Sequence, residues 1–69
     1  EKVSIKDTAK KSALNGNPIY SIGIMEDIEK LKTKTVVRLY VENSFLGLGE
    51  THFDDINNRN YIKIKTLFI

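Results

Sequence analysis

Three groups of residues in this 69-residue chain have the make-up of a reactive or ligand-binding site. Asp54 and Asp55 are adjacent carboxylates, the raw material of an acid–base pair, and His52 stands just before them. Gly47 and Gly49, in the stretch FLGLGE, have the Gly-x-Gly spacing that opens a phosphate loop. Each group fails a physical requirement. A general acid and base must converge on one reacting centre with shifted pKa values, whereas neighbouring carboxylates in a polar, Asn-rich loop point apart and cap turns. His52 is the only histidine, there is no cysteine, and no acidic motif has metal-ligand spacing, so a metal site is disfavoured. No serine or threonine can be paired with His52 as a nucleophile from the sequence. FLGLGE lacks the third glycine and the following helix that bring backbone N–H groups onto a pyrophosphate. The expectation is a chain without catalytic residues, metal or cofactor.

The remaining chemistry is charge. The net charge is only +2, but the signs are segregated. Lys10-Lys11, the run Lys30, Lys32, Lys34, Arg38, and the group Arg59, Lys63, Lys65 contain no acid; Glu26, Asp27, Glu29 and Glu42, Glu50, Asp54, Asp55 contain no base. Such blocks either build one basic face or form an ordinary solvated surface. At this length the chain is a single domain, burying only about 60% of the surface its unfolded form exposes. No disulfide can supplement the core, and the apolar runs are far shorter than the ~20 residues that cross a bilayer. Because the chain opens on Glu1 and its only methionine is Met25, we expect a domain excised from a longer protein.

These side chains must be positioned by short elements. Ser4 with Asp7 has capping-box spacing, and Ile5, Ala9 and Ala13 recur every fourth residue, which predicts a helix from Ile5 to Leu14. Asn15-Gly16 and then Pro18 stop it. An extended edge segment is expected from Ile19 to Ile24, with Ile22 and Ile24 on one face, and a turn or two of helix over Glu26 to Leu31. Val36 to Glu42 alternates as a strand, turns at Asn43-Ser44 and returns as Phe45 to Thr51. After the loop bearing Asp54 and Asp55, Ile62, Ile64 and Phe68 alternate with Tyr61, Lys63, Lys65 and Leu67 in a final strand. The fold class is α+β, mainly β: antiparallel strands curled into a small pseudo-barrel with one N-terminal helix. Gly47 and Gly49 then relieve crowding where the return strand bends, or mark a bulge that flips the register beyond it.

The order AKKSALNGNPI, VVRLYVENSFLGLGE, YIKIKTLF resembles the C-terminal PUA-like domain of bacterial tRNA pseudouridine synthases of the B type. The resemblance covers most of the chain, strongest from Val36 to Phe68 and weak between Tyr20 and Lys34, and it departs at Lys65-Thr66, where the family often has proline. It implies a cytoplasmic, monomeric accessory domain that binds tRNA weakly, around its acceptor and T-arm region. An upstream catalytic domain, carrying the family's aspartate, would isomerise a T-loop uridine. The residues placed on that RNA path are Lys10, Lys11, Asn15, Gly16, Arg38, Lys63 and Lys65, with Tyr40 and Tyr61 sharing strand faces with the cations. The alternative is a small barrel acting through protein contacts, signalled by an exposed apolar patch around Leu67 and Ile69.

Overall fold

In the computed structural model, which describes residues 1–68, the second half of the chain is a three-stranded meander. Strands β3 (Val36–Val41), β4 (Ser44–Asp54) and β5 (Arg59–Leu67) pair antiparallel. Alternation makes it so: Val37, Leu39 and Val41 are buried, whereas Val36 and Arg38 are exposed and Tyr40 is half-exposed. The β3–β4 turn is Glu42-Asn43, one residue earlier than expected. Ser44 already pairs with Val41, and the two turn residues take φ of 53° and 129°. Positive φ at both central positions is what a tight two-residue hairpin requires.

Two short strands from the first half complete a curled five-stranded half-barrel in the order β1-β3-β4-β5-β2. Strand β2 (Ile19–Tyr20) pairs antiparallel with β5, and β1 (Lys2–Ser4) pairs parallel with β3. The concave side holds Val3, Ile5, Ile19, Ile28, Leu39 and Ile62, each no more than 2% exposed, with Ala13 of the helix packed into the same cluster. Burying an aliphatic side chain of this size contributes about 1.5–3 kcal/mol, so these few residues are the main source of stability in so small a domain.

The N-terminal helix is shorter than its spacing predicts. A 3₁₀ turn at Asp7–Ala9 leads into α1 (Lys10–Leu14), and the Ser4–Asp7 capping box does not form. Ser4 is a strand residue whose N–H donates to Glu26 Oε1 at 2.7 Å. Ile5 bridges to Ile24 and donates its N–H to the Tyr40 carbonyl at 2.7 Å. Val3 and Ile5 gain more by completing the sheet edge than a helical turn would give them, a case of tertiary packing overriding local spacing. Likewise the segment expected to be extended over 19–24 turns at Ser21–Gly23 in a 3₁₀ helix, which leaves Ile22 84% exposed while Ile24 is buried. A third 3₁₀ turn, Ile28–Lys30, stands where one or two helical turns were expected.

FLGLGE contains a bulge. Leu39 pairs with Gly47 and Tyr40 with Phe45, so Leu46 is the extra residue and the side-chain faces exchange around it. Phe45 points outward before the bulge and Gly47, Gly49 and Thr51 point inward after it. A matching shift occurs on β5, where Leu48 pairs with Thr66 but Gly49 pairs with Ile64, which makes Lys65 the extra residue. The simple alternation expected for β5 therefore breaks at Lys65, and Phe68 is 58% exposed instead of joining Ile62 and Ile64. At the crossing of these two irregular strands a Cβ on Gly47 would overlap the Thr66 carbonyl oxygen and lie 2.9 Å from Leu67 Cα. Only glycine lets the two backbones approach this closely.

Candidate nucleic-acid interface

The basic residues fall into two groups, one beside the β2 edge and one across the convex face of the sheet. Lys10 and Lys11 are exposed on α1. The helix closes with paired bonds in which Gly16 N–H donates to Ala13 O at 3.0 Å and Asn17 N–H donates to Ser12 O at 3.0 Å. Gly16 takes φ 78°, the left-handed conformation that this closure needs, and Asn15 is exposed beside it. Asn17 and Pro18 then lead straight into Ile19, whose partner Ile62 precedes Lys63. The helix-closing turn thus leads onto the β2 edge, and Lys63 lies on the strand next to it.

Arg38 belongs to the second group. It is exposed on β3, where its register partners are Lys2 on β1 and Leu48 on β4. Leu48 in turn faces Thr66 on β5, so at about 4.8 Å per strand Arg38 is roughly 10 Å from the Lys65 bulge. The site residues expected from the sequence are therefore not one patch: Lys10, Lys11, Asn15 and Gly16 belong to the helix and its closing turn ahead of the β2 edge, while Lys63, the register partner of Glu50 on the strand next to that edge, faces outward as Arg38 and Lys65 do.

Lys65 is also not a free cation, because its Nζ lies 3.6 Å from Glu50 Oε2, while Glu50 Oε1 is 2.9 Å from His52 Nε2. Partial burial would raise the Glu50 carboxyl, but the His52 hydrogen bond and the Lys65 ammonium outweigh it and hold the group below the ordinary glutamate range. Lys63 makes no ion pair among the described residues. Asp54 acts locally, on its own turn. Its Oδ1 accepts from the N–H groups of Ile56 (3.1 Å) and Asn57 (3.3 Å), and its Oδ2 accepts from Asn57 Nδ2 (2.8 Å). Those bonds, the Asn57 side chain first, lower its pKa. Asp55 is exposed and makes no such bonds among the described residues, so Asp54 alone caps the turn and the two carboxylates do not converge.

Sequence reasoning missed how the aromatics assemble. At one end of the outer face His52 stacks on Tyr61 (5.5 Å between centroids), Tyr61 packs on Tyr20 (5.8 Å), and the Arg59 guanidinium lies 3.7 Å from the Tyr20 ring. At the other end Lys2 Nζ lies 4.7 Å from the Tyr40 ring, Phe45 packs edge-on to Tyr40 (5.4 Å), and Phe68 stacks on Phe45 (5.7 Å, 21° between planes). Tyr40 and Tyr61 were legible as outward residues, whereas Phe45 and Phe68 reach this face only through the bulges. Leu67 is half-buried opposite Gly47, which removes it from the expected exposed patch; Ile69 lies outside the described residues.

No family model and no solved structure matches the chain. A curated relative from Alkaliphilus oremlandii (strain OhILAs) is 36% identical over 66 residues. It is a tRNA pseudouridine synthase B. The aligned part covers 96% of this chain but 21% of the relative, so the chain spans about a fifth of that enzyme's length. The aligned region therefore takes in nearly the whole chain, residues 20–34 included for the most part. No helix is long and apolar enough to cross a membrane among the described residues.

Proposed function

We propose that this chain is an accessory RNA-binding domain of a tRNA pseudouridine synthase, holding tRNA while a separate catalytic domain isomerises the uridine. The observation that carries the reading is the match to a tRNA pseudouridine synthase B over 96% of this chain and a fifth of that protein. A share of that size is what a non-catalytic domain of such an enzyme would give, and the aspartate that performs the chemistry would lie in the remainder. Lys10, Lys11, the Asn15-Gly16 turn and, across the β2 edge, Lys63 form the proposed RNA path, with lysines for phosphates and an exposed turn backbone between them. With so few cations the binding is weak and salt-sensitive, with a log–log salt slope of about −3 for three neutralised phosphates.

The test is an amide-shift titration of the 69-residue chain with tRNA and with a T-arm hairpin at low salt. Saturable shifts that include 10–16 and the neighbourhood of Lys63 are expected, and Lys10→Glu with Lys11→Glu should weaken them at least tenfold. Absence of any localised, saturable shift would refute the reading.

A further inference from the structure

The stacked phenyl rings on the outer face are not accounted for by the edge path. Phe45 is 39% exposed and Phe68 58% exposed, yet the two rings are held nearly parallel and in contact. Each reaches the surface because a strand carries one extra residue, Leu46 in β4 and Lys65 in β5, and the Phe68 N–H is pinned to the Leu46 carbonyl at 2.8 Å. A bulge that only curved the sheet could leave its neighbours inside. Here two bulges act together to aim two rings outward on a rigid backbone.

We propose that Phe45 and Phe68, with Tyr40 edge-on beside them, form a stacking platform for an unpaired base of the bound RNA. The inference rests on the RNA-binding reading and adds a second contact site that recognises single-stranded nucleotides. Charge favours a nucleotide over a protein as the occupant. The platform is bordered by Lys2, 4.7 Å from the Tyr40 ring, and by Arg38 in register with Lys2; of the acids on the same face, Glu50 is engaged by His52 and Lys65 and Asp54 by its own turn, and the exposed Glu1 and Glu42 stand at the strand ends. Lysine is depleted from the cores of protein interfaces, whereas aromatic rings beside cations are the usual means of holding single strands, the rings taking bases and the cations phosphates. Preorganisation by the Phe68–Leu46 hydrogen bond reduces the ordering cost of capture.

The experiment compares a single-stranded hexaribonucleotide carrying 2-aminopurine with an RNA duplex of similar charge, using wild type, Phe68→Leu, Phe45→Leu and the Lys10→Glu/Lys11→Glu double variant. Leucine keeps apolar cover at these exposed positions, and melting curves establish that each variant is folded. Wild type should bind the single strand with a change in 2-aminopurine fluorescence. Each leucine variant should lose about fivefold or more in single-strand affinity, the lower range for one stacked base, with duplex binding unchanged. The lysine variant should weaken both ligands. Folded leucine variants that bind the single strand like wild type would overturn the platform while leaving the RNA reading intact, and equal losses on strand and duplex would overturn it too. Failure of wild type to bind either RNA would overturn both. Self-association of wild type that Phe68→Leu abolishes, with RNA affinity unmoved, would assign the rings to contact between copies and overturn the proposal.

Discussion

Substituting Gly47 by alanine should destabilise this domain far more than one methyl group suggests. The added Cβ would meet backbone, namely the Thr66 carbonyl oxygen and Leu67 Cα, not the end of a side chain that can swing away. The end of β5 must therefore move off the bulge, and overpacking of this kind costs about 1–3 kcal/mol. Such a shift also breaks the Phe68 N–H to Leu46 O bond, worth about 1 kcal/mol. A total of about 3 kcal/mol lowers the melting temperature of a domain this size by roughly 12–24 °C. Gly16→Ala provides the comparison. A Cβ there meets nothing within 4 Å and costs only the left-handed φ of 78°, about 1 kcal/mol or roughly 4–8 °C. Thermal unfolding by circular dichroism of both variants is the assay. If Gly47→Ala melts within a few degrees of wild type, or above Gly16→Ala, the close crossing of β4 and β5 does not constrain the fold and the account of FLGLGE is wrong.

Thr51 is the one buried polar residue among the described residues, and its hydroxyl accepts the Thr35 N–H at 2.9 Å and donates to the Lys32 carbonyl at 2.7 Å. Thr51→Val keeps the shape and strands the Thr35 N–H, so a loss of about 2 kcal/mol is expected by denaturant melts, with Thr51→Ser retaining most of the stability. Glu50 provides the pH test. Its folded pKa is lowered, so it stabilises the fold above its unfolded value, near pH 4, and that contribution is lost as pH falls through the folded value. Glu50→Gln should therefore melt below wild type at pH 7, and the gap should close as pH falls below the ordinary glutamate range; a gap independent of pH would exclude the Glu50–Lys65–His52 cluster as its cause.

The hairpin and the final strand were legible because period-two alternation in Val36 to Val41 and Tyr61 to Ile64 has no helical competitor. Strand β1 was not, since Val3 and Ile5 satisfy a three-residue strand while Ile5, Ala9 and Ala13 satisfy a helix, and only the docking against β3 decides between them. Glycine flagged a possible bulge in β4. Nothing flagged its companion in β5, because Lys65 at a bulge looks like any outward-facing lysine. The exposure of Lys63 and Arg38 follows from alternation, but the capture of Lys65 by Glu50 depends on cross-strand register, which no local pattern records.

The pairing of the two N-terminal strands has a consequence for the order in which the molecule assembles. Strands β3, β4 and β5 are joined by short turns and can zip locally. By contrast Lys2 must find Arg38, and Ile19 must find Ile62, across roughly 35–45 residues of intervening chain, an entropic closure repaid only once the meander exists. The first twenty residues are thus expected to dock last and to detach first under native conditions, as slow-formed, fast-exchanging amides in hydrogen exchange. Lys10 to Gly16 lies within that segment, so any RNA held there would clamp the least stable part of the domain, and its affinity would be coupled to the opening of the N-terminal edge.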